Sequence, residues 1–400
     1  MKRTVLSLFL LLIVFAAQGQ TRYLDPVFDS VEVTPNVVYG QAPAWTNFPI
    51  DLRMDVYEPK GDTAALRPLI VFAHGGSFVS GSRTDAYVVE ICEQFARKGY
   101  VCAAISYRLG IDFLNFAELD KELRKASIRA IQDYRASMRF WHASAQSGNP
   151  YQIDTTRFVA AGYSAGSIAA LHAQMFQDPA TAPSEIQTDL TALGGLDGGS
   201  TQYMGQSSRA TAVWDMAGAL LDTLMLNRND LSAIGFHGDA DDVVPYASGF
   251  ATYNGSPVVA MQGSSLVMPR LTRVGGSAEF HGFPGAGHDL LSDMSMADTI
   301  MNRTTRFLYR EVIANPALSL VDNKGVPSPR LYPNPARSAV WIELEAEATV
   351  HWIDLQGRCL WKGVLPQGQH RLDVSKATPG LYLLVFSTDA GSHTLRWIVV

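Results

Sequence analysis

RFVAAGYSAG, residues Arg157 to Gly166, reads as a buried strand running directly into a helix, with Ser164 at the turn between them. Phe158 to Ala161 are continuously apolar, as a strand covered on both faces requires. Gly162 and Gly166 keep side chains away from a tight strand-to-helix turn, and the predicted helix Ala165–Gln177 is stopped by Pro179. A serine held at such a turn is strained and exposed, which suits a nucleophile. A G-x-S-x-G can also be an ordinary glycine-rich turn, so its meaning depends on partners further along the chain.

Outward from this turn, short apolar runs alternate with helical patterns from about Pro68 to Phe283. PLIVFAHGG, YVCAAISYR, RFVAAGYS, ATAVWDMAG, SAIGFHGD and AEFHGF predict strands, and Asp51–Tyr57 predicts an antiparallel strand leading in. Helices are predicted over Ala86–Lys98, Glu118–Ala145, Ala165–Gln177 and Asp298–Val312, the last with Ile300, Met301, Phe307 and Leu308 on one face. This is the pattern of an α/β fold with a doubly wound, mostly parallel sheet. Beyond Asn315 only short alternating strands follow: Val340–Glu345, Thr349–Leu355, Cys359–Leu365, His370–Val374, Leu381–Thr388 and Thr394–Val400. The chain divides accordingly into a catalytic-size domain over 21–312, a linker over 313–328, and a small all-β, Ig-like sandwich over 329–400.

Composition agrees with this division. Four hundred residues, 47% apolar and 18% charged, suit one large domain and a smaller one and exclude disorder and coiled coil. Thirty-eight acidic residues against 32 basic ones give a net charge of −6, so no nucleic-acid partner is expected. Lys2 and Arg3 precede an apolar run from Val5 to Ala17 and then Gln18, Gly19 and Gln20, the pattern of a signal peptide over 1–20. The run is shorter than the roughly 20 residues that span a bilayer, so no transmembrane segment is expected. Export implies an oxidising compartment, yet there are only three cysteines, and the fold does not rest on a disulfide framework. Cys92 and Cys102 read as buried thiols, a bridge between them being the alternative.

A serine hydroxyl needs a base and an orienting carboxylate to attack near neutrality. Two later loops supply them: His237-Gly238-Asp239-Ala240-Asp241-Asp242-Val243-Val244-Pro245 and Gly285-Ala286-Gly287-His288-Asp289. Both follow the C-terminal ends of predicted strands, where sites on open α/β sheets gather. Asp239, Asp241 and Asp242 compete for the acid role; the others read as turn or cap residues, or as ligands of a structural cation. No zinc-type ligand cluster is visible, and neither a cofactor nor a metal is expected.

These motifs, in this order, resemble the α/β-hydrolase superfamily over residues 45 to 312, in particular serine esterases of the carboxylesterase and lipase type. The family's acid loop often reads H-G-x-x-D-x-x-V-P, which implies Asp241 as the acid; G-A-G-H implies His288 as the base and G-x-S-x-G implies Ser164 as the nucleophile. The resemblance also implies an oxyanion hole from the backbone N–H of Ala165 and from His74-Gly75-Gly76-Ser77-Phe78. That loop is similar to the H-G-G-G of esterases, with Ser77 in place of the third glycine, and Gly76 and Ser77 both remain candidates for the second donor. Ser106–Gly110 resembles the family's Y-R-L segment, and Ala130–Trp141 the helix before the nucleophile strand. Ile111–Lys121, Pro179–Ser208 and Ser248–Ala278 are left to form a cap or acyl pocket.

The tail resembles the type A C-terminal sorting domain of the type IX secretion system, on Leu331-Tyr332-Pro333-Asn334-Pro335, Asp354-Leu355-Gln356-Gly357-Arg358 and Pro379-Gly380-Leu381-Tyr382. A glycan-binding sandwich using Trp341, Trp352, Trp361 and Trp397 is the alternative, although strand aromatics are more often core. The expectation is a secreted or surface-held serine hydrolase of small-molecule or polysaccharide-linked carboxylic esters. It would reach the periplasm by its signal peptide and leave by the type IX machinery. A serine peptidase of the same superfamily, or a non-catalytic adhesion protein on a hydrolase scaffold, are the other readings.

Overall fold

The computed structural model describes residues 21–112, 114–314, 329–354, 359–388 and 391–399. The expected signal peptide, residues 315–328 of the expected linker, and residues 355–358 of the second tail motif lie outside them.

The first part contains strands β1 (Val31–Pro43), β2 (Pro49–Pro59), β3 (Arg67–Ala73), β4 (Val101–Ile105), β5 (Ile153–Tyr163), β6 (Ala212–Met216), β7 (Ala219–Leu220), β8 (Ser232–Gly238), β9 (Ser248–Tyr253), β10 (Ser256–Gly263) and β11 (Ser277–Phe283). Eight of them form one sheet in the order β1-β2-β4-β3-β5-β6-β8-β11. From β4 to β11 every neighbour is parallel, while β2 and β1 extend the edge antiparallel. The helices are α1 (Ala86–Arg97), α2 (Leu119–Gln146), α3 (Ala165–Met175), α4 (Ser184–Ala192), α5 (Ser264–Arg273) and α6 (Met294–Leu308). α1 and α6 cover one face, burying Phe95, Ile300 and Phe307 against Phe72 and Trp214. α2 and α3 cover the other, with Tyr134, Trp141 and Leu171 buried. Coverage on both faces explains why β3, β4, β6 and β8 are buried throughout.

β1 was not expected as a strand, and its sequence explains why. Most of it is exposed, Asn36 adopts a φ of 60°, and its pairing with β2 shifts register between Thr34 and Val37 and again between Val38 and Gly40. A bulged edge strand shows neither alternation nor an apolar run.

The Y-R-L segment and the helix before the nucleophile strand meet in a buried ion pair. Arg108 Nε donates to Asp133 Oδ1 at 2.9 Å, its backbone N–H donates to Oδ2 at 2.7 Å, and Nη2 donates to Gln132 Oε1 at 2.9 Å. Removing one partner would leave a charge uncompensated in the core, at a cost of roughly 3–5 kcal/mol. Beside it, Tyr134 Oη donates to the Val71 carbonyl at 2.6 Å and accepts from Ala161 N–H at 2.8 Å, tying β3 to β5. Cys92 and Cys102 are both buried free thiols.

The tail adds β12 (Arg330–Tyr332), β13 (Ala339–Leu344), β14 (Ala348–Asp354), β15 (Cys359–Leu365), β16 (Gly368–Asp373), β17 (Gly380–Thr388) and β18 (Gly391–Val399). They make two antiparallel sheets, β12-β13-β16 and β15-β14-β17-β18. Trp352 and Trp397 are core, edge to face at 5.4 Å. Trp341 and Trp361 lie in different sheets, so the four tryptophans do not form one platform.

Candidate active site

Ser164 stands between β5 and α3 with φ 54° and ψ −122°, a conformation that non-glycine residues avoid. The backbone closes tightly around it. A Cβ on Gly162 would lie 2.4 Å from the Gly166 carbonyl carbon, and one on Gly166 would lie 2.1 Å from the Ala73 oxygen. Only glycines at both positions let α3 leave the sheet at this angle.

Ser164 Oγ lies 2.9 Å from His288 Nε2, and His288 Nδ1 lies 2.7 Å from Asp241 Oδ2. Asp241 Oδ1 accepts the backbone N–H groups of Val243 and Val244 at 2.8 and 2.9 Å. Burial pushes the Asp241 carboxyl up, but hydrogen bonds from His237 and His288 outweigh it and hold the group well below the usual carboxylate range. Asp241 is thus an anion directed at the imidazole. The two rival aspartates are elsewhere: Asp239 is exposed and accepts Gly285 N–H at 2.6 Å, and Asp242 is exposed. His281 packs edge-on against Phe283 at 4.7 Å.

The loop after β3 is pinned from several sides. Tyr107 Oη donates to the His74 carbonyl at 2.8 Å, the two rings stack at 4.5 Å, and Gly75 N–H donates to Tyr87 Oη at 2.8 Å. Val79 and Ser80 N–H both turn back to the Gly76 carbonyl. Gly76, Ser77 and Phe78 all take positive φ, at 113°, 51° and 64°. Ser77 and Phe78 line a pocket with Ser164 and Ala165, the first residue of α3; Gly76 is not among its lining residues.

That pocket, open to solvent, is walled by Ile168, Val244, Val259, Met261 and Tyr253. Of the three segments left for a cap or acyl pocket, Ser248–Ala278 supplies this wall through the β9–β10 hairpin. The described residues of Ile111–Lys121 and Pro179–Ser208 contribute none of the lining, and Leu123, Arg124 and Ser127 of α2 take their place. Sequence reasoning gave no role to Phe78, Tyr163 and His237, although each stands inside a motif it singled out, which was the available signal.

An eight-stranded, mostly parallel sheet with this strand order and a serine at the β5–α3 turn defines an α/β-hydrolase. Residues 54–229 match the family model BD-FAE, and residues 330–400 match the model of the secretion system C-terminal sorting domain. The chain is an esterase-like α/β-hydrolase that carries a BD-FAE domain and a type IX sorting tail, and the tail indicates delivery to the cell surface or beyond. No curated protein matches it. Similar solved structures include Thermogutta terrifontis esterase 2 with propionate bound and with butyrate bound, each 22% identical, covering 70% of this chain and 94% of that one with a TM-score of 0.48. The same esterase phosphorylated by paraoxon is 22% identical, covering 71% of this chain and 95% of that one with a TM-score of 0.47. Among the described residues no helix is long and apolar enough to cross a membrane.

Proposed function

We propose that the protein hydrolyses carboxylic esters through an acyl-enzyme formed on Ser164. The observation that carries this is the run of contacts Ser164 Oγ to His288 Nε2 and His288 Nδ1 to Asp241 Oδ2, at 2.9 and 2.7 Å. His288 takes the Ser164 proton as Oγ attacks the acyl carbon, and returns it to the leaving alkoxide. Asp241 stabilises the imidazolium formed in between. The N–H of Ala165, with that of Ser77 in preference to Gly76, receives the developing oxyanion, since Ser77 lines the pocket beside Ser164. Water then cleaves the acyl-enzyme by the reverse path. The aliphatic wall beside Ser164 favours an apolar acyl group.

The domain reading is proposed with it: catalysis within 21–312, a linker over 313–328, and sorting by 329–400 after export by the signal peptide. Turnover of p-nitrophenyl acetate tests the chemistry. Ser164→Ala and His288→Ala should each lower kcat by on the order of 10⁶, and the double variant by little more. Additive losses, or turnover that survives Ser164→Ala, would remove the triad, and no turnover by the wild type would leave a binding protein on a hydrolase scaffold.

A further inference from the structure

Behind the proposed triad lies a set of buried polar groups that the mechanism above does not use. His237 at the end of β8, Asp215 in β6, Ser167 in the first turn of α3 and Ser264 at the start of α5 are all fully or almost fully inaccessible. Burying this many polar atoms is costly unless they serve one another or the site. Their contacts run toward the acid. His237 Nε2 lies 3.1 Å from Asp241 Oδ2 and 3.1 Å from the Val244 carbonyl oxygen. Both are acceptors, so Nε2 carries the proton, and its single N–H is shared between the Val244 carbonyl and Asp241 Oδ2. On the other side of the ring, Nδ1 is 2.9 Å from Ser264 Oγ, which is 3.1 Å from the Gly218 carbonyl oxygen. Ser167 Oγ donates to Asp215 Oδ1 at 2.5 Å, so the cluster is anchored on the same helix that begins at the nucleophile.

Asp241 Oδ1 is fixed by two backbone N–H groups, but Oδ2, the oxygen that must stay on the His288 Nδ1–H, has no backbone donor of its own among the described contacts. We infer that His237 is a positioning residue for the esterase reaction: its Nε2–H, shared between the Val244 carbonyl and Asp241 Oδ2, fixes the carboxylate plane, while Ser264 holds the His237 ring. His237 touches no substrate and moves no proton. The inference rests on the reading of Ser164, His288 and Asp241 as the triad.

Two replacements separate this role from packing. His237→Leu keeps most of the volume and loses the donor, whereas His237→Gln keeps a side-chain N–H of similar reach. In folded protein, confirmed by circular dichroism and thermal melting, His237→Leu should lower kcat roughly 10- to 100-fold with KM within about twofold, and His237→Gln should recover most of the loss. The low-field proton resonance of the His288–Asp241 hydrogen bond, identified by its absence in His288→Ala, should persist in wild type and His237→Gln and be lost or broadened in His237→Leu. Should His237→Leu not fold, Ser264→Ala is the second variant, with a smaller fall in kcat, roughly 3- to 10-fold, and the same constant KM. Wild-type kcat and an intact resonance in folded His237→Leu would overturn the inference, as would equal losses in the Leu and Gln variants with the resonance kept. If wild type itself shows no turnover, the triad reading fails instead, and the resonance, which needs no turnover, still decides whether His237 holds Asp241.

Discussion

Tyr163 Oη donates a 2.8 Å hydrogen bond to the carbonyl oxygen of His288, and the two rings stack with centroids 5.6 Å apart. The residue before Ser164 thus tethers the loop that carries His288, across 125 positions of sequence. Tyr163→Phe keeps the ring and removes the tether. One neutral hydrogen bond is worth about 0.5–1.5 kcal/mol, so kcat should fall roughly 2- to 12-fold with KM nearly constant. Steady-state kinetics on a p-nitrophenyl ester would show it; an unchanged kcat would mean that the loop is held well enough without this contact.

Asp241 and Asp242 of the acid loop should separate by more than three orders of magnitude. Asp241→Asn replaces the one carboxylate aimed at His288 and should lower kcat on the order of 10⁴-fold. Asp242→Asn, on an exposed side chain, should stay within about twofold. The reverse ranking in a kinetic comparison would move the acid to Asp242.

Acid should weaken the fold through His172. This imidazole is fully buried, with Nδ1 bonded to the Ile168 carbonyl at 2.8 Å and Nε2 accepting Leu221 N–H at 3.1 Å. Burial lowers its pKa to about 4. Between that value and the ordinary histidine pKa of about 6.5, the unfolded chain takes up a proton that the folded chain refuses. Its contribution is therefore complete above about pH 6.5 and declines as pH falls, by about 2 kcal/mol at pH 5. Denaturant melts at pH 7 and pH 5 should show a drop that shrinks in His172→Gln; an equal drop in both proteins would assign it to other groups.

Catalysis and sorting should come apart on truncation. The last helix and the turn Tyr309–Ile313, with Val312 buried, are complete before the tail begins. A chain ending after about residue 320 should fold and keep esterase activity. In a host with type IX secretion it should accumulate in the periplasm, so activity measured in periplasm and medium decides the matter. An inactive, unfolded truncate would make the tail part of the enzyme, and an active truncate in the medium would leave sorting to another signal.

Much of this was written locally in the chain. The turn around Ser164 was legible because a strained strand-to-helix junction demands glycines at fixed offsets, and the parallel strands because burial on both faces forces continuous apolar runs. The helices α1, α2 and α3 were found to within one or two residues for the same reason, since their apolar periodicity is local. The β9–β10 hairpin was foreseen only as part of a segment left for a cap or acyl pocket and not as strands, and β1 was missed, because their exposed and bulged strands carry no such pattern.

What the tertiary structure decided was which of several equivalent residues faces His288. Asp239, Asp241 and Asp242 are the same side chain within four positions, and sequence pattern alone offers only a resemblance to choose among them. The choice is made by direction. The turn after β8 aims Asp241 inward, onto His288, His237 and two backbone N–H groups, and leaves its neighbours in water. His237 shows the same thing: in the sequence it is the first residue of the acid-loop motif with no role attached, and its meaning comes from a 3.1 Å approach to a carboxylate. Such contacts depend on how separate strands and loops are brought together, because hydrogen bonds act over about 3 Å and carry no trace along the chain of the partner they will meet.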